Sequence, residues 1–337
     1  MPTILPSFQL FDHNTFHVRA LTDYYTEPAS VEELTNALSY AAERELEILI
    51  LGEGSNLLFV NHYPGLIIHP TIKGMECVHE SGSEVLVSAG GGENWDRFVA
   101  FCVERGWYGP ENLSLIPGSV GAAPVQNIGA YGREVGELVD AVEVMDRESG
   151  KTLLLSPGEC AFGYRDSIFK HAEETRYIVT RVLFKLLKKG SLLLDYGRVR
   201  SVFEQQSEQT LASLRQTIIE IRQSKLPEYE ENGNAGSFFK NPVISEARFR
   251  NLQEDFPEVP GYQVDGKKRK IPAAWLIEQC GWKGFREGDV GTWPHQPLVI
   301  VNYGQATGKE IFIFSEKIRS SVFEKFGISL EREVTVI

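Results

Sequence analysis

The chain has 337 residues, 42% apolar and 24% charged, with 31 glycines that follow no period, a balance that excludes disorder, collagen and coiled coil and fits two or three globular domains. Forty-six acidic against 34 basic residues leave a formal charge of −12, which argues against nonspecific nucleic-acid binding. Distant charges are screened beyond about 8 Å at physiological salt, so a local basic cluster can still attract an anionic ligand.

The N-terminus, MPTILPSFQLFDHNTF, lacks the basic region and unbroken apolar stretch of a secretory signal. The first predicted helix follows Pro28. Ser30 and Glu33 have capping-box spacing, and Val31, Leu34, Leu38 and Ala41 share one face. Residues 48–51 read as a buried strand. Gly52-Glu53-Gly54-Ser55-Asn56 then forms a glycine-rich turn before a second apolar run at 57–60. Residues 84–88 are strand-like and lead into Gly90-Gly91-Gly92, followed by a helix over 95–104 closed by Gly106. Residues 117–132, PGSVGAAPVQNIGAYG, carry few bulky side chains. Residues 138–144 and 175–187 read as strands.

The composition shifts near residue 190. A helix is predicted over 207–223, with Leu211, Leu214, Ile218 and Ile221 on one face. A short helix over 272–280 has Pro272 at its first position and Gly281 as its stop. Thr307 and Glu310 form another capping-box pair ahead of Ile311, Phe314, Ile318 and Val322, and that helix ends near Gly327. Residues 328–337 alternate like a strand, which puts Glu331 and Glu333 on one face. No solenoid or propeller repeat is visible. The expectation is two α+β units meeting near 190.

Cys77, Cys102, Cys160 and Cys280 are scattered without a CxxC pair, as expected of buried thiols in a reducing compartment. The apolar runs 48–51 and 298–301 are too short to cross a bilayer, so a cytoplasmic protein with no membrane partner is expected. His13 and His17 lie four apart, but no carboxylate or thiol cluster supports a metal site.

The turn LGEGSN lacks the third glycine and the following helix of a Rossmann fingerprint. It is either a tight hairpin turn or a nest of N–H groups for a pyrophosphate, with Ser55 and Asn56 as added donors. Likewise, 117–132 is either an irregular loop or a surface that lets backbone approach a ligand closely. Two such zones about 65 residues apart favour a large cofactor spanning both.

The segments LGEGSNLLF, IPGSVGAAPVQNIGAYG, FGYRDSIFK, NGNAGSFFKNP and LEREV, in this order, resemble the UDP-N-acetylenolpyruvoylglucosamine reductase (MurB) family across nearly the whole chain. The resemblance implies an α+β fold: a two-lobed FAD-binding domain of the vanillyl-alcohol-oxidase (PCMH) type over 1–190, with lobes at roughly 1–75 and 76–190, and a C-terminal α+β substrate domain over 191–337. In that scheme the terminal strand 328–337 brings Glu333 to the site. The implied activity is NADPH-dependent, FAD-mediated reduction of an enolpyruvyl UDP-sugar to UDP-N-acetylmuramate in peptidoglycan synthesis, by a monomer with noncovalent FAD.

That reaction needs a hydride source, stabilisation of a developing enolate, and a proton donor. The resemblance gives Arg165 of YRDS as the clamp on the enolpyruvyl carboxylate, a role suited to a guanidinium fork. The alternative is an ion pair of Arg165 with Asp166 or Glu173. Ser237 is implied as proton donor, and Glu333 as a stabilising or proton-relaying carboxylate with Glu331 its local competitor. Implied FAD contacts are Gly52, Glu53, Gly54, Ser55, Asn56, Pro117, Gly118, Ser119, Gly121, Asn127, Gly129 and Arg222. Tyr196, in LDYG, matches the tyrosine on the extra loop of type I members. With Lys225, Asn241, Tyr262, Lys283 and Gln296 it is implied to bind the substrate. The run Lys267-Lys268-Arg269-Lys270 is either a solvated loop or an aid to attracting the anionic substrate. An oxidase of the same fold and a catalytically silent nucleotide-sugar sensor are the competing readings, and the intact Arg165, Ser237 and Glu333 set argues against the sensor.

Overall fold

The computed structural model describes residues 3–171 and 176–337. Its contacts divide the chain into two units, one comprising Met1–Phe8, Thr22–Glu53 and Pro64–Arg222, the other Gln9–Leu21, Gly54–Tyr63 and Gln223–Ile337. This division differs from the expected boundary near 190. Helices Val199–Phe203 and Leu211–Lys225 bury Val199, Phe203, Leu214, Ile218 and Ile221 against Tyr131, Leu192 and Leu194, which ties most of 191–222 to the first unit. The expected helix 207–223 therefore starts and ends later, at Leu211–Lys225, and a separate short helix precedes it.

The first unit holds two sheets. In one, strands Leu5–Gln9, Leu21–Thr26, Tyr63–Ile68 and Glu47–Ile50 lie in that order, with the last two parallel and Ile48 opposite Leu66. Helix Val31–Glu43 covers this sheet. The Ser30 hydroxyl accepts from the Glu33 amide at 3.1 Å, while the Glu33 carboxylate reaches back to the Ala29 amide at 2.8 Å. Its buried face, Leu34, Ala37 and Ala41, packs on Leu66, Ile68, Met145 and Ile178. Met145 and Ile178 belong to the second sheet, so the two sheets share a core.

That second sheet is antiparallel, in the order Thr152–Leu155, Val139–Asp146, Tyr177–Leu187, Glu84–Gly90, Met75–Glu80. The strand expected from 175 is described from Tyr177, and Thr175 lies outside the described residues. Helix Trp95–Glu104, capped by the Asn94 side chain, packs on the sheet through Trp95 and Phe98, whose rings lie 5.9 and 4.4 Å from that of Phe184. Ring pairs at this spacing add to area burial.

The second unit is built on a sheet of Gly233–Ser237, Gln296–Asn302, Val290–Trp293 and Arg286–Glu287. Helix Gly308–Phe326 carries the full capping box: the Glu310 amide donates to Thr307 Oγ1 at 3.3 Å and the Thr307 amide to Glu310 Oε2 at 2.7 Å. Gly327 closes the helix at φ 64°. Helix Ala273–Gln279 begins one residue later than expected, with Pro272 as its cap residue. The expected ten-residue strand at 328–337 is reduced to Thr335–Val336 plus a bridge between Arg332 and Phe239, because each end finds a different partner. Thr335–Val336 pairs in parallel with Leu57–Leu58.

Two open readings close here. The strands flanking LGEGSN do not pair with each other: Glu47–Ile50 joins Tyr63–Ile68 and Leu57–Leu58 joins Thr335–Val336, so the turn is no hairpin. Residues Lys268–Lys270 form a strand between Val243–Ser245 and Tyr262–Asp265, with Arg269 Nε donating to Glu246 at 2.7 Å, so this part of the basic run is not a solvated loop. All four cysteines are free thiols, and burial pushes the Cys160 thiol up to about 12. Among the described residues no helix is long and apolar enough to cross a membrane.

Candidate active site

In the first unit the glycine-rich segments meet. A Cβ added at Gly52 would stand 3.2 Å from both Ser119 Oγ and Ala122 Cβ. The Gly121 amide donates to Gly91 O at 2.8 Å, and a Cβ at Gly121 would stand 2.9 Å from that oxygen. Bare backbone is thus a packing requirement at 121, whereas at 52 a side chain would fit only if Ser119 or Ala122 gave way by a few tenths of an ångström. Around these contacts, Leu115, Asn127, Tyr131 and Arg165 hold φ of 57, 43, 48 and 55°. Left-handed backbone costs non-glycine residues about 1–3 kcal/mol each, and such outliers concentrate at ligand sites.

Arg165 is held by the glycine-rich zone. Its Nη1 donates to Asn127 O at 3.4 Å, its Nη2 to Gly129 O, and its guanidinium lies 5.4 Å from the Tyr164 ring centre. Asp166, one alternative partner, faces His171 at 3.3 Å. Glu173, the other, lies outside the described residues. The Asn127 side chain is spent inside the protein: its amide donates to Glu134 Oε2 at 2.8 Å and Gly163 O at 2.9 Å, and its oxygen accepts from the Gly136 amide at 2.8 Å. Asn127 therefore shapes the zone, and its backbone is engaged as well: the amide donates to Pro124 O at 3.2 Å and the carbonyl accepts from Arg165. Tyr196 is exposed and sets its ring edge-on to Tyr131, with centres 5.9 Å apart.

Arg222 is the most informative side chain here. Its Nε is buried without a hydrogen-bond partner. Desolvation presses its guanidinium down from the ordinary value, opposed by Tyr131 and Asp96. A buried orphan donor on a cation calls for an acceptor-rich ligand. Together with backbone that has no room for side chains, this fits a flavin nucleotide. Gly52, Glu53, Pro117, Gly118, Ser119 and Gly129, through backbone groups, and Arg222, through its guanidinium, are the residues of this unit suited to hold one, while the amides of Gly121 and Asn127 are already bonded to Gly91 O and Pro124 O.

In the second unit Ser237 ends its strand opposite Val299. The Asn234 side chain accepts from the Gly236 amide at 3.0 Å, and Gly236 takes φ 67° with open space where its Cβ would stand. The Ser237 hydroxyl makes no hydrogen bond to any described residue. Beside it, the Glu333 amide donates to Phe238 O at 2.9 Å and Glu333 O accepts from Asn56 Nδ2 at 3.1 Å. Two predicted site residues, Glu333 and Asn56, are thus bonded to each other, and Glu333 also bonds Phe238, the residue that follows Ser237. Glu331 is committed elsewhere, to an ion pair with Lys240.

Other predicted ligands scatter over this unit. Lys225 ends its helix with no ion pair among the described residues. Asn241 Oδ1 accepts from the Ala273 amide at 2.9 Å. Lys283 pairs with Glu278 at 2.7 Å, Tyr262 is exposed, and Gln296 opens the strand Gln296–Asn302. Gly54 packs against the backbone of His13 and Asn14.

Sequence reasoning passed over Glu111 and Asn112, both fully buried. Asn112 donates to Tyr131 O at 2.9 Å and Leu193 O at 3.0 Å, and Glu111 accepts from the Gly109 amide at 2.6 Å. A charged and an amide residue between Pro110 and Leu113, just before a glycine-rich zone, were the available signal.

Residues 22–156 match the family description "FAD binding domain", and residues 227–337 match "UDP-N-acetylenolpyruvoylglucosamine reductase, C-terminal domain". A UDP-N-acetylenolpyruvoylglucosamine reductase of Bacteroides fragilis (strain YCH46) is 45% identical over 330 residues, covering 98% of this chain and 99% of the relative. One of Porphyromonas gingivalis (strain ATCC 33277) is 42% identical over 335 residues, 99% of each. The crystal structure of UDP-N-acetylenolpyruvylglucosamine reductase (MurB) from Thermus caldophilus superposes with a TM-score of 0.69 at 25% identity, covering 100% of this chain and 98% of that one. Similarity of this degree over the full length, with both domains matched, means that the chain belongs to the UDP-N-acetylenolpyruvoylglucosamine reductase family.

Proposed function

We propose that this chain reduces the enolpyruvyl ether of UDP-N-acetyl-3-O-(1-carboxyvinyl)-glucosamine to the lactyl ether of UDP-N-acetylmuramate, a step of peptidoglycan synthesis, with Arg165, Ser237 and Glu333 as its catalytic residues. FAD, when bound, would supply the hydride chemistry, with NADPH as the electron source. The chain's own residues do the rest. Arg165 holds the enolpyruvyl carboxylate and stabilises the enolate that develops beside it. Ser237 gives its hydroxyl proton to the neighbouring carbon. A hydroxyl is a weak acid, but the carbanion is a strong base, so placement decides the rate. Glu333 steadies or relays that proton. Tyr196, Lys225, Asn241, Tyr262, Lys283 and Gln296 bind the UDP-sugar, the lysines meeting its phosphates.

The observation that supports this reading is the Ser237 hydroxyl: it has no partner among the described residues, and it lies between Gly236, whose Cβ position is open, and Phe238, whose carbonyl accepts from the Glu333 amide. NADPH oxidation by the purified protein tests it. Consumption that depends on the enolpyruvyl UDP-sugar and yields UDP-N-acetylmuramate is expected; oxygen-driven consumption without the sugar contradicts it. A water-soluble, nucleotide-linked substrate also suits a cytoplasmic enzyme. A monomer is the expected state, and a sedimentation coefficient for about 37.8 kDa would support it.

A further inference from the structure

We propose that Asp96 and Arg215 are positioning residues for FAD: together they lock the entry of the 117–132 zone to the helix that carries Arg222. Arg215 meets Asp96 with both ends of its fork, Nη1 to Oδ1 at 2.7 Å and Nη2 to Oδ2 at 2.8 Å, across 119 residues of sequence. The Asp96 Oδ1 also accepts from the Leu115 amide at 2.5 Å. Leu115 is one of the left-handed residues, φ 57°, and stands two positions before Pro117. The pair is well shielded, with side chains 16% and 26% exposed, unlike most surface ion pairs.

Two further features tie it to the cofactor. Arg215 and Arg222 are seven residues apart in the helix Leu211–Lys225, two turns, and so share a face. Burial alone would raise the Asp96 carboxyl, but the bonds from Arg215 and the Leu115 amide, and the charges of Arg215 and Arg222, hold it below its ordinary value. Asp96 is therefore the counter-charge to both guanidinium groups. The neighbouring Trp95 grips the same loop: its amide donates to Gly118 O at 2.9 Å and its indole to Leu113 O at 2.8 Å. Leu211, at the start of the Arg222 helix, shares the core of Trp95 and Leu113, and Asp96 adds a charged, directional link from this grip to that helix. Bidentate geometry fixes direction as well as distance, which a lysine at 215 could not supply.

This inference rests on the reading that the 117–132 zone and Arg222 contact FAD. The test is equilibrium release of FAD from the full-length holoprotein on dilution, read as recovered flavin fluorescence, with the bound-flavin absorption spectrum recorded alongside. Asp96→Asn and Arg215→Gln are each expected to raise the FAD Kd at least tenfold, to shift the flavin band, and to be no worse when combined, since either removes the same link. Arg215→Lys, which keeps the charge, is expected to weaken FAD nearly as much, so a failure of the charge-removing variants to fold leaves a reading. A Kd within twofold of wild type in any folded variant overturns the clamp, as do additive losses in the double variant or an unchanged flavin spectrum. An unmutated protein that takes up no FAD defeats the underlying reading instead.

Discussion

The side-chain amide of Asn56 donates to the main-chain carbonyl of Glu333 at 3.1 Å, joining the glycine-rich turn to the C-terminal segment across 277 residues of sequence. The Glu333 amide is held on its other side by Phe238 O at 2.9 Å, so the backbone of the proposed catalytic carboxylate is gripped from both ends. Asn56→Ala releases one end. We expect it to retain FAD and to lose turnover by about 10²-fold, the order of cost for a misplaced catalytic group. Flavin absorbance and steady-state NADPH oxidation on one preparation check this; normal turnover in the FAD-loaded variant contradicts it.

Ser237→Ala removes the proposed proton donor without touching the site of hydride entry. Flavin bleaching by NADPH should proceed at close to the wild-type rate, while recovery of colour on adding the enolpyruvyl UDP-sugar slows severely. Stopped-flow absorbance separates the halves. Equal slowing of both would take Ser237 out of the proton-donating role.

Arg165→Lys keeps the charge but loses the fork. Since Arg165 is held by the carbonyls of Asn127 and Gly129, a shorter ammonium cannot make both bonds and still meet a carboxylate. Turnover is expected to fall on the order of 10²–10³-fold, as for loss of an oxyanion-stabilising donor. Turnover close to wild type would make Arg165 a purely structural residue.

Gly121→Ala places a methyl 2.9 Å from Gly91 O and 3.0 Å from Gly91 Cα, where only backbone can yield. A cost of about 1–3 kcal/mol in stability is expected, together with weaker FAD retention, because the shift displaces the zone itself. Thermal melting with and without added FAD measures both. An unchanged melting temperature would show that the zone relaxes freely.

Glu111 gives a pH dependence of definite sign. Burial raises its carboxyl, only partly offset by the amides of Glu111 and Gly109 and the charge of Arg133. The folded chain therefore holds this proton more tightly than the unfolded chain, whose ordinary value is 4.5. No penalty exists below that value; it grows as pH rises through the window up to the raised value and is full above it. Glu111→Gln keeps an acceptor for the Gly109 amide without the charge. Its melting temperature should gain on wild type as pH rises from about 4 to about 8. A margin independent of pH would refute the assignment.

Local chemistry was readable in the sequence. Caps at Ser30 and Thr307 and apolar spacing located helices Val31–Glu43 and Gly308–Phe326. The division of the chain was not readable, because it is set by bonds between distant residues. The Thr15 amide donates to Gly54 O, the Asn234 amide to Thr15 O, and the Thr335 amide to Asn56 O, which takes two early segments into the second unit. Periodicity sees neighbours three or four residues away and no further. For the same reason the bond of Asn56 to Glu333 and that of Asp96 to Arg215 could not be read from spacing.

The parallel pairing of Leu57–Leu58 with Thr335–Val336 also sets a schedule. A ribosome adds roughly 5–20 residues per second, so partners separated by 277 positions, as Asn56 and Glu333 are, emerge tens of seconds apart. Leu57 and Leu58 must wait through that interval with their strand partners unmade, while the sheets of the first unit can already close. Closing so long a loop is slow but adds little entropic cost beyond that of a moderate one. During synthesis the early segment around Leu57, Leu58 and Phe59 is thus an apolar stretch without a home, and a nascent chain halted before residue 335 should be the form most readily captured by chaperones.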